Sequence, residues 1–381
     1  MRIALFSGNY NYVREGANQA LNRMVAYAGS KGHKVRVYSP VTDTPAFEPE
    51  GELVPVPSVR LPVRGEFRLA LSLPEAIRRD VRGFAPDIIH VSTPDILVTR
   101  AQTLARTLGV PVVASLHTRF ETYFEHYGLG WARPLAEAHL RRFYRRSDHV
   151  LVPIPVTVDE IKQMRGDGRV SLWSRGVDRE RFDPARRDLQ WRRARGFDDE
   201  DVVLLFFGRL VLEKGVEEFV SVARQLHERS VAVRTLIVGD GPAREKFDQL
   251  EDAVLIGHLD GDELGRAVAS ADILLHPSRT EAFGNVVLEA MSAGLTVVCA
   301  DADSARALVD DGRTGVIYSP DDRGRLLETL AALAGDPFRR QVLARGAREA
   351  SARFSWDKAS QSVLGAYEVV TADAGALKRQ R

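Results

Sequence analysis

Short runs of branched apolar residues alternate with amphipathic stretches along nearly the whole chain, and the rhythm is run through twice. In the first half the runs fall at 2–6, 34–39, 87–92, 111–116, 149–154 and 169–173. Several are rich in Val, Ile and Leu without polar alternation, the pattern of strands covered on both faces. Between them, Leu21, Met24, Val25 and Ala28 form one helical stripe. Ile96, Leu97, Ala101, Leu104, Ala105 and Leu108 form another, closed by Gly109. After residue 200 the runs are 202–207, 232–238, 253–256, 273–276, 295–300 and 315–318, with helices expected near 214–229, 242–250, 262–271, 284–293, 323–334 and 337–353. Alternating β and α elements predict a doubly wound parallel sheet in each half. The expected fold class is therefore α/β, with two Rossmann-like domains facing across a cleft.

A chain of 381 residues fits two such domains. The boundaries expected are 1–175 and 176–355, with a helix at about 356–371 returning to the first domain. The polar stretch 176–200, rich in Arg and Asp, reads as a linker, and 371–381 as a frayed, solvated tail. The carboxyl ends of parallel strands are where such sheets place ligands. Nicotinamide chemistry is not expected, because neither Ser7-Gly8-Asn9-Tyr10 nor Gly239-Asp240-Gly241-Pro242 matches the dinucleotide fingerprint.

The chain opens directly on a strand-like segment, Met1-Arg-Ile-Ala-Leu-Phe6, without a signal-peptide pattern, and no apolar run reaches the ~20 residues of a spanning helix. A cytoplasmic protein is expected, with attachment to the inner face of the plasma membrane left open. Cys299, the single cysteine, permits no intramolecular disulfide and reads as a buried, inert thiol. Net charge is +1, short of the basic footprint of a nucleic-acid binder. The charge is uneven: residues 1–173 hold 23 basic and 17 acidic residues, the remainder 30 and 35. Arg141, Arg142, Arg145 and Arg146 line one face of a helix near 132–147, opposite Ala132, Ala136, Leu140 and Phe143. A face of that kind suits either solvent or an anionic membrane surface.

Two segments carry chemistry. Gly208-Arg-Leu-Val-Leu-Glu-Lys-Gly215 follows a strand and precedes a helix, which puts a guanidinium and an ammonium at a strand end, where a departing diphosphate needs positive charge. Spacing alone leaves a solvated loop equally open. In Pro277-Ser-Arg-Thr-Glu-Ala-Phe-Gly-Asn-Val-Val-Leu-Glu-Ala-Met291, Glu281 and Glu289 frame a turn at Phe283-Gly284-Asn285, and a carboxylate pair can bind sugar hydroxyls. Acids placed for the helix dipole would explain Glu281 but not Glu289.

These segments resemble the donor-site motifs of glycosyltransferase family 4, retaining enzymes of the GT-B fold. The resemblance includes Ser174-Arg-Gly-Val-Asp178 with Phe182, Gly239-Asp-Gly-Pro242, Ser270-Ala-Asp272, and Leu116-His-Thr118 with Tyr123 and Tyr127. It implies that Arg209 and Lys214, with Gly208 beside them, bind the diphosphate, and that Glu289 holds the ribose. Glu281 would bind donor-sugar hydroxyls, with Phe283, Gly284, Asn285 and Val286 lining the donor. His117 would stand beside the sugar's reacting end, the alternative being a hydrogen-bonded core histidine at a strand end, and Gly16 where a glycine loop passes the phosphates.

The implied reaction moves a hexose, mannose from GDP-mannose in the first instance, from a nucleotide-diphosphate sugar to a lipid or glycan acceptor. It implies no cofactor and no metal; Asp301-Ala-Asp303 and Asp260-Gly-Asp262 only superficially resemble a metal-binding Asp-x-Asp. UDP-linked glucose, glucuronate or sulfoquinovose donors, a nucleotide-sugar epimerase and an inactive nucleotide-sugar-binding protein are the alternatives. The sequence departs from the family pattern at Arg14-Glu-Gly-Ala17, at Thr296, where proline is usual, and at Ala302-Asp-Ser-Ala305.

Overall fold

The computed structural model of the protein describes residues 1–13, 15–61, 67–117 and 130–379. Arg14, Tyr123 and Tyr127 lie outside them, as does Thr118. The contacts divide the chain into two units: the residues up to Gly176 together with those from Trp356 onward, and Val177–Ser355.

The first unit runs β1 (Arg2–Phe6), α1 (Gly16–Ser30), β2 (Lys34–Ser39), β3 (Glu52–Pro55), a small hairpin of β4 (Val59–Arg60) and β5 (Arg68–Leu69), α2 (Glu75–Phe84), β6 (Ile88–Val91), α3 (Ile96–Leu108), β7 (Val112–Ser115), α4 (Arg133–Arg145), β8 (His149–Val152), α5 (Pro155–Arg165) and β9 (Val170–Leu172). Its seven-stranded sheet has the order β3-β2-β1-β6-β7-β8-β9 and every pairing is parallel. Strands β6 and β7 are buried along their whole length, which is why their sequences do not alternate. Helix α3 starts where the Asp95 carboxylate accepts from Val98 N and stops at Gly109.

The second unit continues with α6 (Leu189–Arg193), β10 (Val203–Phe207), α7 (Val216–Glu228), β11 (Arg234–Val238), β12 (Ala253–Gly257), α8 (Gly261–Ala269), β13 (Ile273–His276), α9 (Asn285–Ser292), β14 (Thr296–Ala300), α10 (Asp303–Leu308), β15 (Val316–Tyr318), α11 (Arg323–Gly335) and α12 (Pro337–Ser351). The strand order is β12-β11-β10-β13-β14-β15, again parallel. The direction in which successive strands are added reverses between the parallel neighbours β10 and β13, so the connections after them leave toward opposite faces of the sheet and open a crevice at their carboxyl ends. Phe206, Phe219 and Phe247 pack ring against ring in its core at centroid distances of 5.2, 5.3 and 6.1 Å. Cys299 is fully buried in β14, and burial pushes its thiol up to about 12.

The chain returns to the first unit as α13 (Trp356–Arg379). This helix packs on α1 through Val363, Leu364 and Tyr367.

Four expectations need correction. The stretch 176–200, expected as a linker, is from Val177 a folded part of the second unit. Asp188 caps α6, Trp191 and Arg192 are buried, and the Arg192 guanidinium donates to Ser270 O at 2.7 Å, Asp201 O at 2.6 Å and Asp272 Oδ2 at 3.2 Å. Its buried arginine is held by groups elsewhere in the same unit. The helix expected over 242–250 is only a 3-10 segment, Arg244–Gln249, because Phe247 is its sole buried residue and no apolar stripe forms. The tail is not frayed from 371, since α13 continues to Arg379 and the Thr371 hydroxyl donates to Tyr367 O at 2.8 Å. Strand β3, the β4–β5 hairpin and helices α2, α5, α6 and α10 have no counterpart among the expected elements. Thr296 has a local reason: its N–H donates to Asp272 O at 3.1 Å, a bond proline would lack, and its hydroxyl donates to Arg340 O at 3.0 Å.

Candidate active site

Both motif segments of the second unit lie at its switch point. Gly208 follows β10 and Pro277 follows β13. Gly208 touches the second segment directly: Val286 Cγ2 is 3.5 Å from where a β-carbon on Gly208 would sit. Beyond half-buried Arg209, the chain makes a short 3-10 turn, Leu212–Lys214, and enters α7 through Gly215. Gly215 has φ +74° and a β-carbon there would lie 2.6 Å from Pro277 Cβ, so only glycine brings the two segments this close. The Ser278 hydroxyl donates to Glu213 O at 3.1 Å, and the Thr280 hydroxyl reaches the same oxygen at 3.3 Å.

That packing brings together residues 67 positions apart. Lys214 Nζ makes an ion pair with Glu281 Oε1, and His276 Nε2 stands 3.7 Å from the same oxygen. Burial would raise the Glu281 carboxyl, but Lys214 and His276 outweigh it and hold the group below the usual range. Burial drives His276 down to about 4, Glu281 opposing and Lys214 adding to the effect. The pair is thus carboxylate and ammonium beside a neutral imidazole at pH 7. The solvated-loop reading of Glu213 does not hold, since that residue is buried.

Three polar atoms here are buried with no hydrogen-bond partner among the described residues: His276 Nε2, Glu213 Oε2 and Asn285 Oδ1. Orphaned buried groups are uncommon in native proteins and call for a partner such as a water, an ion or a ligand. Helices α7 and α9 both start here from glycine, Gly215 and Gly284, without a side-chain cap, leaving backbone N–H groups for an anion. Gly284 takes φ +94° and Phe283 is buried edge-on against Phe354. Glu289 lies in the second turn of α9, half-buried.

The remaining predicted residues belong to the first unit. His117 follows β7, with Nε2 2.7 Å from Ser115 Oγ and Nδ1 3.0 Å from Arg175 Nη2. Gly16 is the first residue of α1. Of the acidic pairs, Asp301 is held by the Arg306 guanidinium through two bonds of 2.6 Å. Among the described residues no cluster of His, Cys, Asp and Glu could hold a metal ion. Sequence reasoning missed His276, although a histidine ending an apolar strand just before Pro277 was visible.

The lowered His276 predicts a pH effect on stability. The unfolded chain takes up this proton near 6.5, the folded chain only near 4. The unfolded state therefore binds more protons across that window, and stability falls as pH drops through it. Buried His90, lowered to about 3, adds in the same direction. Calorimetry should show the melting temperature declining from pH 6.5 to 4, with a shallower slope in His276→Gln; equal slopes would count against it.

Comparison with known proteins agrees with this architecture. The family model for Glycosyltransferase Family 4 matches residues 14–181, and that for Glycosyl transferases group 1 matches 201–336. A GDP-mannose-dependent alpha-mannosyltransferase of Mycobacterium tuberculosis is 33% identical over 97% of this chain and 97% of its own. The sulfoquinovosyl transferase SQD2 of Arabidopsis thaliana is 31% identical over 95% of this chain and 72% of its own. The sucrose-phosphate synthase structure from Thermosynechococcus elongatus superposes with a TM-score of 0.78 at 18% identity, covering 98% of this chain and 99% of that one. The chain belongs to glycosyltransferase family 4. It has the GT-B fold, two parallel-sheet α/β units, and it is a hexosyltransferase.

Proposed function

We propose that the chain transfers mannose from GDP-mannose, with retention of configuration, to the hydroxyl of a lipid or glycan acceptor. The observation that carries this is the Lys214–Glu281 pair at the β10/β13 switch point, with the unpartnered His276 Nε2 3.7 Å from the carboxylate. The ammonium and carboxylate satisfy each other. A diphosphate competes for Lys214 and, with Arg209, forms charge-assisted contacts; Glu281 is then released to sugar hydroxyls. Glu289 holds the ribose, and Phe283, Gly284, Asn285 and Val286 line the donor.

In the reaction, the bond between the anomeric carbon and the phosphate oxygen breaks. Lys214 and Arg209 offset the charge developing on the diphosphate, so no divalent ion or other cofactor takes part. The acceptor hydroxyl attacks from the face being vacated and its proton goes to the departing phosphate oxygen. No protein nucleophile is used.

The mannosyltransferase relative favours GDP-mannose. The sulfoquinovosyl relative, at nearly equal identity, favours a second reading with a sulfoquinovose donor. A panel of GDP- and UDP-sugars, scored by melting shift and slow hydrolysis, separates them. GDP-mannose should stabilise most, by RT ln(1 + [L]/Kd); a response only to another donor overturns the mannose assignment.

A lipid acceptor is favoured by α4. Arg141, Arg142, Arg145 and Arg146, with Arg106 of α3, line an open depression of about 700 Å³. Trp131 and Leu135, just before and within the start of the helix, are 75% and 69% exposed. Basic side chains beside exposed apolar ones suit a peripheral position on an anionic leaflet, placing the enzyme at the cytoplasmic face of a membrane. Among the described residues no helix is long and apolar enough to cross one. The protein should pellet with anionic vesicles at low salt and be released at high salt; no binding at low salt ends the membrane idea.

A further inference from the structure

We propose that Arg175 is the positioning residue for His117: its guanidinium fixes the imidazole neutral, with the proton on Nε2, and so sets the direction of a buried hydrogen-bond chain ending on α13. The functional consequence rests on the proposed placing of His117 beside the donor sugar; the chain itself stands on geometry within the first unit.

Arginine only donates hydrogen bonds. Arg175 Nη2 lies 3.0 Å from His117 Nδ1, so that nitrogen must offer its lone pair, and the ring proton resides on Nε2. Nε2 is 2.7 Å from Ser115 Oγ. Having accepted that proton, the serine hydroxyl turns its single hydrogen to His90 Nε2, at 2.7 Å. His90 in turn carries its proton on Nδ1, which faces the Tyr367 hydroxyl. The tyrosine hydrogen is left for Met24 Sδ, at 3.8 Å. One donor-only group thus orders every proton from the end of β7 to the C-terminal helix.

Arg175 is held from behind. Nη1 donates to Trp173 O at 2.9 Å and Ser174 O at 3.3 Å, and the guanidinium carbon sits 4.9 Å from the centre of the Trp173 ring. The same indole packs edge-on against His117 at 5.1 Å and His90 at 5.9 Å. Arg175, His90, Ser115, Tyr367 and Met24 are all buried. Among the described residues no carboxylate bonds to a member of this chain. Burial, then the Arg175 charge, then His90 drive His117 well below 6.5. Burial lowers Arg175 itself to about 9, which leaves it charged at neutral pH.

With both ring nitrogens engaged, His117 is a fixed neutral dipole and takes no proton from the reaction. Removing Arg175 frees Nδ1, and the imidazole gains access to the other tautomer and to the charged form.

Long-range 1H–15N spectra of the protein labelled at histidine read this directly. In the wild type His117 should show Nε2 protonated and Nδ1 bare from about pH 5.5 to 8; a proton on Nδ1 overturns the proposal. In Arg175→Met, His117 should titrate or populate both tautomers. GDP-mannose turnover should fall roughly 10- to 100-fold in kcat, the range for loss of a partner that orients a functional imidazole, and its pH profile should gain an acid limb. Arg175→Lys, which keeps a donor, should recover most of the loss. An Arg175→Met protein with the wild-type tautomer and pH profile overturns the proposal. If that variant does not fold, the wild-type spectrum still decides. A wild type that shows the expected spectrum but never turns over GDP-mannose refutes the donor assignment and leaves the Arg175 assignment standing.

Discussion

Lys214→Ala is expected to abolish the rise in melting temperature that GDP-mannose gives, and to lower kcat by about 10²–10³-fold, the usual loss when one preorganised group stabilising developing charge is removed. The variant loses a contact to the donor diphosphate and also leaves Glu281 without its ion-pair partner. Among the described residues His276 is then the group left facing the carboxylate, 3.7 Å away and neutral at pH 7. With burial no longer opposed by Lys214, the Glu281 carboxyl shifts upward. Lys214→Arg should recover part of the binding, because it restores the charge but not the shape. Unchanged donor affinity in Lys214→Ala would remove this residue from the phosphate site.

Arg192→Ala carries the largest expected effect on stability, about 3–5 kcal/mol, the typical cost of breaking a buried charged network from one side. The guanidinium is 0% exposed and ties α6 to the loop before β13 and to Asp201, just before β10. Asp272 keeps Arg187, at 2.8 Å, and Val203 N, also at 2.8 Å, but Ser270 O and Asp201 O lose a charged donor. Denaturant unfolding of the second unit measures the loss. A change below about 1 kcal/mol, the scale of a surface pair, would mean that 176–200 is peripheral after all.

The same region shows where sequence reading reached its limit. Apolar runs covered on both faces announce buried parallel strands, so the two sheets were legible except for the half-exposed edge strand β3, which has no such run. A polar run such as 176–200 is ambiguous, because charged residues read alike whether they face water or each other. Arg192 and Asp272 are 80 positions apart, and no local pattern records their meeting. The candidate site divides in the same way. Gly208, Arg209, Lys214, Glu281 and Glu289 were legible as residues at strand and helix ends. The ion pair between Lys214 and Glu281 was not, because it depends on Gly215 packing against Pro277. His276 looked like the last residue of a strand, and Arg175 like one letter of a motif. Their neighbours in space give both their chemistry.

The most direct test is a crystal structure with GDP-mannose bound. The account predicts the diphosphate at the β10/β13 switch point, with Lys214 Nζ about 3 Å from a phosphate oxygen and parted from Glu281. A nucleotide bound elsewhere, with the Lys214–Glu281 pair still closed, would contradict it.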